Sequence, residues 1–430
     1  MIDSAPAVRL RVVTREIESV DEMLVFADPH DPTVWSRRGD VLVARGTAAA
    51  FVAPESDTGP DAVAAWWRRT ISSAEIDDPV QLPGSGLVAF GALPFDPHRL
   101  GTADPSTPRL HFAVPQVIVG RRGSRSWVTA ITADGRTPSA DLPETTGFGP
   151  HWSATTGPGA LTPDGYQRIV RAGVEAIRGG EIEKVVLARD LAGTVPADAD
   201  LRRLVRALAS AYPDTWAFAV DGLIGASPET LVTVSKGTVT ARVLAGTIAR
   251  GADADADTAA SLALATSTKD LDEHGYAVRS VLDALRPSTS SLVAGEQPFM
   301  LKLPNVWHLA TDVEGELAGD ASALDLVAAL HPTAAVAGTP TPAALDAIRR
   351  LEPFNRGRYA GPVGWIDANG DGEWAIALRC AQFRPRDRPA DDAPIPFTAY
   401  AGAGIVGASD PESEMLETRV KFRPIIDALA

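Results

Sequence analysis

The chain has a single cysteine in 430 residues, Cys380. One thiol excludes an intramolecular disulfide and any zinc or iron–sulfur centre built from several cysteines. Positive charge is also short: 40 Lys and Arg face 55 Asp and Glu, for a formal net charge of −15. Nucleic-acid binders carry a basic stripe, so that class is excluded. No run approaches 18 apolar residues, and Met1-Ile2-Asp3-Ser4 lacks the basic start and apolar stretch of a secretion signal. Internal repeats and long low-complexity segments are lacking too. What is there, 45% hydrophobic and 22% charged residues, is the composition of a globular protein with ample core. The expectation is a soluble protein of a reducing compartment, the cytoplasm, with no membrane and no nucleic-acid partner.

The first 160 residues read as short strands (Val8 to Val13, Asp40 to Val43, Gln116 to Val119, Ser126 to Ile131) between Pro, Gly, Asp and Ser punctuation. A buried-looking strand, Gly86 to Gly91, follows a Pro-Gly-Ser turn. The Thr-, Gly- and Pro-rich stretch Pro138 to Thr162 is either a linker or a long surface connection within one domain. From Thr162 strands and helices alternate. Tyr166, Ile169, Val170, Val174 and Ile177 give helical spacing over 163–179, stopped by Gly179-Gly180. A strand over 182–192 and a helix over 201–211 follow. Asp221-Gly222 is a hairpin turn signal between Thr215 to Val220 and Leu223 to Gly225. One long helix is expected over Asp257 to Leu285, and Asp253, Asp255 and Asp257 read as its solvated approach.

Two motifs mislead. Gly402-Ala-Gly404-Ile-Val-Gly407 matches G-x-G-x-x-G between a strand and a helix, but a dinucleotide fold needs a following strand with an acidic residue about 20 positions on, and no second strand is read before Ala430. The glycines keep one use, letting backbone N–H groups approach an anion at a helix N-terminus. Asp367-Ala-Asn369-Gly-Asp371-Gly372 begins like a calcium loop, yet its twelfth position is Leu378 and its flanks read as strands, so it is a hairpin turn.

Several side chains are candidates for chemistry. Ser409-Asp410-Pro411-Glu412 starts a helix as a capping box, and behind it Glu414, Glu417 and Lys421 share one face. Asp270 and Glu273 repeat the i, i+3 spacing on the long helix, with His274 next. Each pair reads either as a solvated face or, if the helices meet, as an oxygen donor set suited to Mg²⁺. Lys184 lies by strand alternation with Ile182, Val186 and Ala188, so it either snorkels to an edge or is a desolvated amine able to act as a base. Glu229, in Ala226-Ser-Pro-Glu-Thr230, passes for a turn carboxylate. Arg379 reads as a strand residue with Ala375, Ala377 and Ala381 on its side, either salt-bridged or leaving room to clamp a carboxylate.

These residues fall in blocks that resemble the chorismate-utilising enzymes. The blocks are Lys184-Val-Val-Leu-Ala-Arg189, Ala226-Ser-Pro-Glu-Thr-Leu231, Leu244-Ala-Gly-Thr247, Glu273-His274, Trp307-His-Leu309, Leu330-His-Pro-Thr333, Arg358-Tyr-Ala-Gly-Pro-Val-Gly364, Ala377-Leu-Arg-Cys380, and Ala401 through Glu414, Glu417 and Lys421. They run in family order over 163–425; before residue 160 the match is weak, chiefly Gly86 to Asp96. The resemblance implies one α+β domain over 1–430, two stacked antiparallel sheets between outer helix layers, with a divergent half (1–160) and a catalytic half (161–430). It implies Mg²⁺ held by Glu273 and Glu417 with Asp270 and Glu414 nearby, chelating the ring carboxylate of chorismate. Arg379 and Tyr359 would clamp the enolpyruvyl carboxylate with amides around Gly402 and Gly404, and Lys421, Thr247 and His308 would complete the pocket. Within the family, Gln replaces the lysine at 184 in anthranilate synthases, and Lys replaces the alanine at 245 in aminodeoxychorismate synthases. Lys184 with Ala245 therefore implies water as nucleophile, Lys184 as base, Glu229 as general acid and isochorismate as product, an isomerase activity. The alternative is a salicylate synthase, which goes on to eliminate pyruvate. Ile248, where Arg or a similar residue often follows the threonine, is a departure. A monomer is implied, with no glutamine amidotransferase subunit, and the pathway served is either menaquinone or siderophore biosynthesis.

Overall fold

The computed structural model describes residues 9–51, 59–96, 110–302, 306–383 and 393–430; of the Thr247, Ala249, Lys269, Glu273 and Val306 side chains nothing is described. Strand-forming runs assemble into a 13-stranded and a 10-stranded sheet. Every pairing is antiparallel except that of Arg11–Ile17 with Glu75–Asp77.

Each sheet takes strands from both regions of the chain. The large sheet runs Thr155–Pro158, Lys184–Val195, Ile395–Ile405, Cys380–Phe383, Leu223–Ser227, Trp216–Val220, and then continues with Thr33–Arg37, Asp40–Arg45 and further strands that precede residue 133. The smaller runs Thr289–Ala294, Val306–Leu317, Thr238–Ala249, Thr230–Ser235, Gly372–Ile376, Pro362–Asp367, then Val88–Ala92, His111–Val114 and Ala49–Ala50.

Strand alternation sends successive residues of the large sheet into two different cores. Trp35, Leu42, Phe218 and Leu223 face the smaller sheet, packing in one cluster with Phe90, Phe112, Trp365 and Trp374. Their neighbours Val34, Val43, Ala219 and Ile224 face the opposite way, with Leu204, Leu208, Phe422 and Ile425 of the helices Arg202–Ala211 and Pro411–Ala428. Two inner faces and an outer helix layer follow from this one period-two pattern.

The helix expected over 163–179 is Pro163–Arg178, capped by the Thr162 side chain. Asp221 (φ 48°) and Gly222 (φ 73°) make the hairpin turn with both residues left-handed. The turn at 367–371 joins Pro362–Asp367 to Gly372–Ile376, as read from sequence. The stretch 138–162 is a surface connection: Thr155–Pro158 pairs with Lys184–Val195, and the buried Arg202 guanidinium donates to the carbonyls of Thr146 and Gly147.

Four expectations need correction. The long helix over 257–285 is two, Ala254–Ala265 and Thr268–Leu285, because the Ser267 side chain accepts from Asp270 N–H and caps a new start. Asp257 is not solvated: it is buried, paired with Arg250 and hydrogen-bonded by Trp307 Nε1, while Asp253 is the cap of the first helix. The last helix is capped by Asp410, not Ser409, whose hydroxyl accepts from Val406 N–H. Gly402 and Gly404 lie inside the strand Ile395–Ile405, well before the helix begins at Pro411, so they are not at a helix N-terminus.

Candidate active site

The site grows out of a place where the chain twice changes sheets. Leu223–Ser227 belongs to the large sheet and Thr230–Ser235 to the smaller; Pro228 and Glu229 span the step. In the reverse direction Gly372–Ile376 belongs to the smaller sheet and Cys380–Phe383 to the large, with Ala377, Leu378 and Arg379 between. Arg379 is therefore not a strand residue, contrary to the sequence reading. Its φ of 50° is left-handed, which costs a non-glycine residue about 1 kcal/mol. The two crossovers run side by side and brace each other. Ile376 N–H donates to Glu229 O (3.1 Å), Ser227 Oγ to Ile376 O (2.6 Å), and Ala226 N–H to Arg379 O (3.2 Å).

Glu229 and Arg379 are thus set by backbone, and their side chains are left over. Among the described residues, neither side chain makes a hydrogen bond or ion pair. Burial pushes the Glu229 carboxyl up to about 7, against the opposing pull of Arg379, Lys184 and Lys421. Burial likewise lowers the Arg379 guanidinium, with Tyr359, Glu229 and Glu417 opposing. A carboxyl poised near neutrality beside Lys184, Arg379 and Lys421 can hold and release a proton at pH 7.

Around this pair stand the other predicted residues. Lys184 opens the strand Lys184–Val195. Its side chain passes over Gly404, which is paired with Val186 and where a Cβ would stand 3.3 Å from Lys184 Cε; at Gly402 a Cβ would lie 2.8 Å from Leu187 O and 3.3 Å from the Tyr359 hydroxyl. Glycine at both positions keeps that surface open. Lys421 Nζ donates to Gly402 O (2.9 Å) and pairs with Glu417 (2.5 Å). Because N–H and C=O of one strand residue leave on the same side, the Gly402 amide also faces this region rather than the ladder. Tyr359 is buried and stacks on Tyr400, centroids 5.1 Å apart. His308 sits opposite Thr247 in the smaller sheet and bonds the Gly246 backbone. Burial, with Lys421 and Arg379, depresses its imidazole to about 4, so it is neutral at pH 7.

The acidic candidates flank these cations. Burial raises the Glu414 carboxyl, and Glu417 adds to the effect while Ser409 and Lys421 oppose it. Asp270 is bonded to the Ser267 hydroxyl and lies against Gly246, the residue whose backbone holds His308. Thr247 and Glu273 are on described strands and helices, but their side chains fall outside the described set. Among the described residues no group of three or more His, Cys, Asp and Glu side chains is gathered for a metal. The donor chemistry nonetheless fits a hard cation: carboxylates only, two of them on one helix face and mutually repelling. His274 is not a site residue; its ring spans Ala245 O (3.0 Å) and Thr311 Oγ1 (2.7 Å), tying the helix Thr268–Leu285 to its sheet.

Two contributors escaped the sequence reading. Ser227, inside the block that carries Glu229, staples the crossovers together. Tyr400, two residues before Gly402, is the stacking floor for Tyr359, and that spacing was the available signal.

This architecture and site define an enzyme of the chorismate-utilising class. The chain belongs to the chorismate binding enzyme family, whose profile matches residues 3–430. It is 39% identical over 279 residues to isochorismate synthase DhbC of Bacillus subtilis, covering 62% of this chain and 68% of that protein. It is 37% identical over 358 residues to the putative isochorismate synthase MenF of Mycobacterium tuberculosis, covering 80% and 87%. The solved structure of the putative 2,3-dihydroxybenzoate-specific isochorismate synthase DhbC of Bacillus anthracis is similar over 94% of this chain and 98% of that one, with TM-score 0.72 and 30% identity.

Proposed function

We propose that this protein is an isochorismate synthase, an isomerase that adds water at C2 of chorismate with loss of the C4 hydroxyl. The observation that carries the reading is Glu229, a desolvated carboxyl raised to about 7 and ringed by Lys184, Arg379 and Lys421. The isochorismate synthases among its relatives support the substrate and product.

Lys184, neutral when it acts, takes the proton from the attacking water, and Glu229 gives its proton to the departing hydroxyl on the opposite ring face. One water enters and one leaves, so the reaction is a net isomerisation. Arg379 and Tyr359, with the amides on the Gly402 side, hold the enolpyruvyl carboxylate, and Lys421 adds positive charge. Ala245 offers no amine to compete with water. Asp270, Glu273, Glu414 and Glu417 would hold Mg²⁺, which when bound supplies the positive charge that anchors the ring carboxylate. Much of the acceleration expected from this arrangement is positioning and electrostatic.

Chromatography of a chorismate reaction tests the assignment. Isochorismate should accumulate, and Lys184→Ala should abolish its formation while chorismate still binds. Stoichiometric salicylate and pyruvate would establish the salicylate synthase instead.

A further inference from the structure

The strand that carries Lys184 has a partner along its whole inner edge, Ile395–Ile405. Its outer edge is pieced together. Gly338–Thr339 pairs with Lys184 and Val185, and Thr155–Pro158 pairs with Leu191 to Thr194. Between them the outward backbone groups of Val186, Ala188 and Asp190 need partners, since a buried unpaired N–H or C=O costs as much as a lost hydrogen bond. Ala337 O accepts from Val186 N–H (2.9 Å), and Gly159 N–H donates to Asp190 O (3.3 Å). Two further groups in the gap are met by charged side chains. Glu352 Oε1 accepts from Ala188 N–H (2.8 Å), and Arg356 Nη2 donates to Val186 O (2.6 Å).

These two side chains are 3% exposed and joined to each other, Arg356 Nε donating to Glu352 Oε2 at 2.8 Å with a second bond alongside. Arg356 also donates to Val336 O (3.1 Å), and its own carbonyl accepts from Tyr359 N–H (3.0 Å). One buried pair therefore touches the Lys184 strand on one side and the turn that presents Tyr359 on the other. For stability alone such a pair is poorly chosen, because apolar residues of similar volume serve as well or better.

We propose that Glu352 and Arg356 are positioning residues for the reaction: they substitute for a missing strand and fix the spacing between Lys184, which moves the proton, and Tyr359, which holds the substrate. This inference rests on the proposed isochorismate synthase reading.

The test compares E352Q with the double variant E352L/R356M. Glutamine keeps an oxygen for Ala188 N–H, whereas the double variant fills the same space and leaves Ala188 N–H and Val186 O without partners. E352Q should keep kcat within about threefold. Both variants should melt below the wild-type temperature, E352Q because Arg356 loses its counter-charge and the double variant because two backbone groups go unpaired. Only the double variant should lose roughly 10- to 100-fold in kcat with KM little changed, the size expected for a misplaced reacting group. A double variant with wild-type kcat overturns the proposal. So does a kcat loss that tracks thermal stability across both variants, or an E352Q as impaired as the double variant. If the wild-type protein itself makes no isochorismate from chorismate, the functional reading fails, and that outcome is read before any variant is compared.

Discussion

The strand Gly372–Ile376 ends in two unlike places, and both hold a buried carboxyl forced above its ordinary range. At one end, burial and the neighbouring Asp371 raise Asp367 to about 8. At the other, across the crossover, burial raises Glu229 to about 7. The shifts alone would rank the two alike. Their partners do not. Asp367 accepts from the N–H groups of Asn369 (2.9 Å), Asp371 (3.2 Å) and Gly84 (3.3 Å), and Asp371 accepts from Lys236 (2.7 Å) and Gly237 (3.2 Å). Every bond there is spent on fixing a turn. Glu229 has its backbone fixed and its carboxyl left over, beside an arginine in the same condition. A perturbed carboxyl marks a site when its hydrogen bonds are unspent, and marks architecture when they are spent.

The sharpest break in that comparison is a pair of amide substitutions. Glu229→Gln should lower kcat by at least about 10²-fold, the size of a lost general acid, with chorismate binding kept. Asp367→Asn should leave kcat within about twofold and cost about 1 kcal/mol of stability, since one oxygen must serve three donors. Steady-state rates and denaturation midpoints read both.

Next in size is Arg379→Gln. Losing a charge-assisted bond worth 1.5–3 kcal/mol should raise KM for chorismate roughly 10- to 100-fold. Kinetics at fixed Mg²⁺ measures it. A smaller effect is expected at the acidic side: Glu417→Gln should shift the Mg²⁺ titration of activity by at least roughly tenfold, and an unchanged titration removes Glu417 from the ligand set.

The last predictions concern pH dependence. Glu229 must carry its proton to act, so kcat should fall as pH rises through about 7. His308, near 4, is already neutral there and contributes no limb. For stability the sign is the same at both carboxyls. The folded state keeps a proton that the unfolded chain has released, so their stabilising contribution is full below the ordinary carboxyl range and is lost as pH rises toward the folded value. Asp367 should give a decline between about pH 4 and 8, at most about 1.4 kcal/mol per pH unit, which Asp367→Asn flattens.

Much of this was legible in the sequence, and the failures share a cause. Strand-like runs between turn residues located the strands near Asp40 to Val43, Gly86 to Gly91, Gln116 to Val119 and Ser126 to Ile131, but the helix Pro60–Ser73 and the strands Glu75–Asp77 and His111–Val114 went unread. Residue blocks singled out Lys184, Glu229 and Lys421, whose charges act on one another in the fold. Period-two alternation misread Arg379: small residues at Ala375, Ala377 and Ala381 look like one strand face, yet the chain leaves one sheet at Ile376 and enters the other at Cys380. Local periodicity carries no information about which sheet a strand joins. The split at Ser267 was signalled by Ser-x-x-Asp, but apolar and polar residues on both sides kept helical spacing and hid it. Asp257 looked solvated because its partners are Arg250, just past the end of the strand Thr238–Ala249, and Trp307, on the strand Val306–Leu317, which reaches it only in the folded chain.

Side-by-side turnover of chorismate by the wild-type protein, Glu229→Gln and Asp367→Asn at pH 7, with isochorismate quantified and melting points recorded on the same samples, tests the account most directly. It predicts isochorismate from the wild type and Asp367→Asn, none resolvable from Glu229→Gln, and a lower melting point for Asp367→Asn alone. Near-normal isochorismate formation by Glu229→Gln would contradict it.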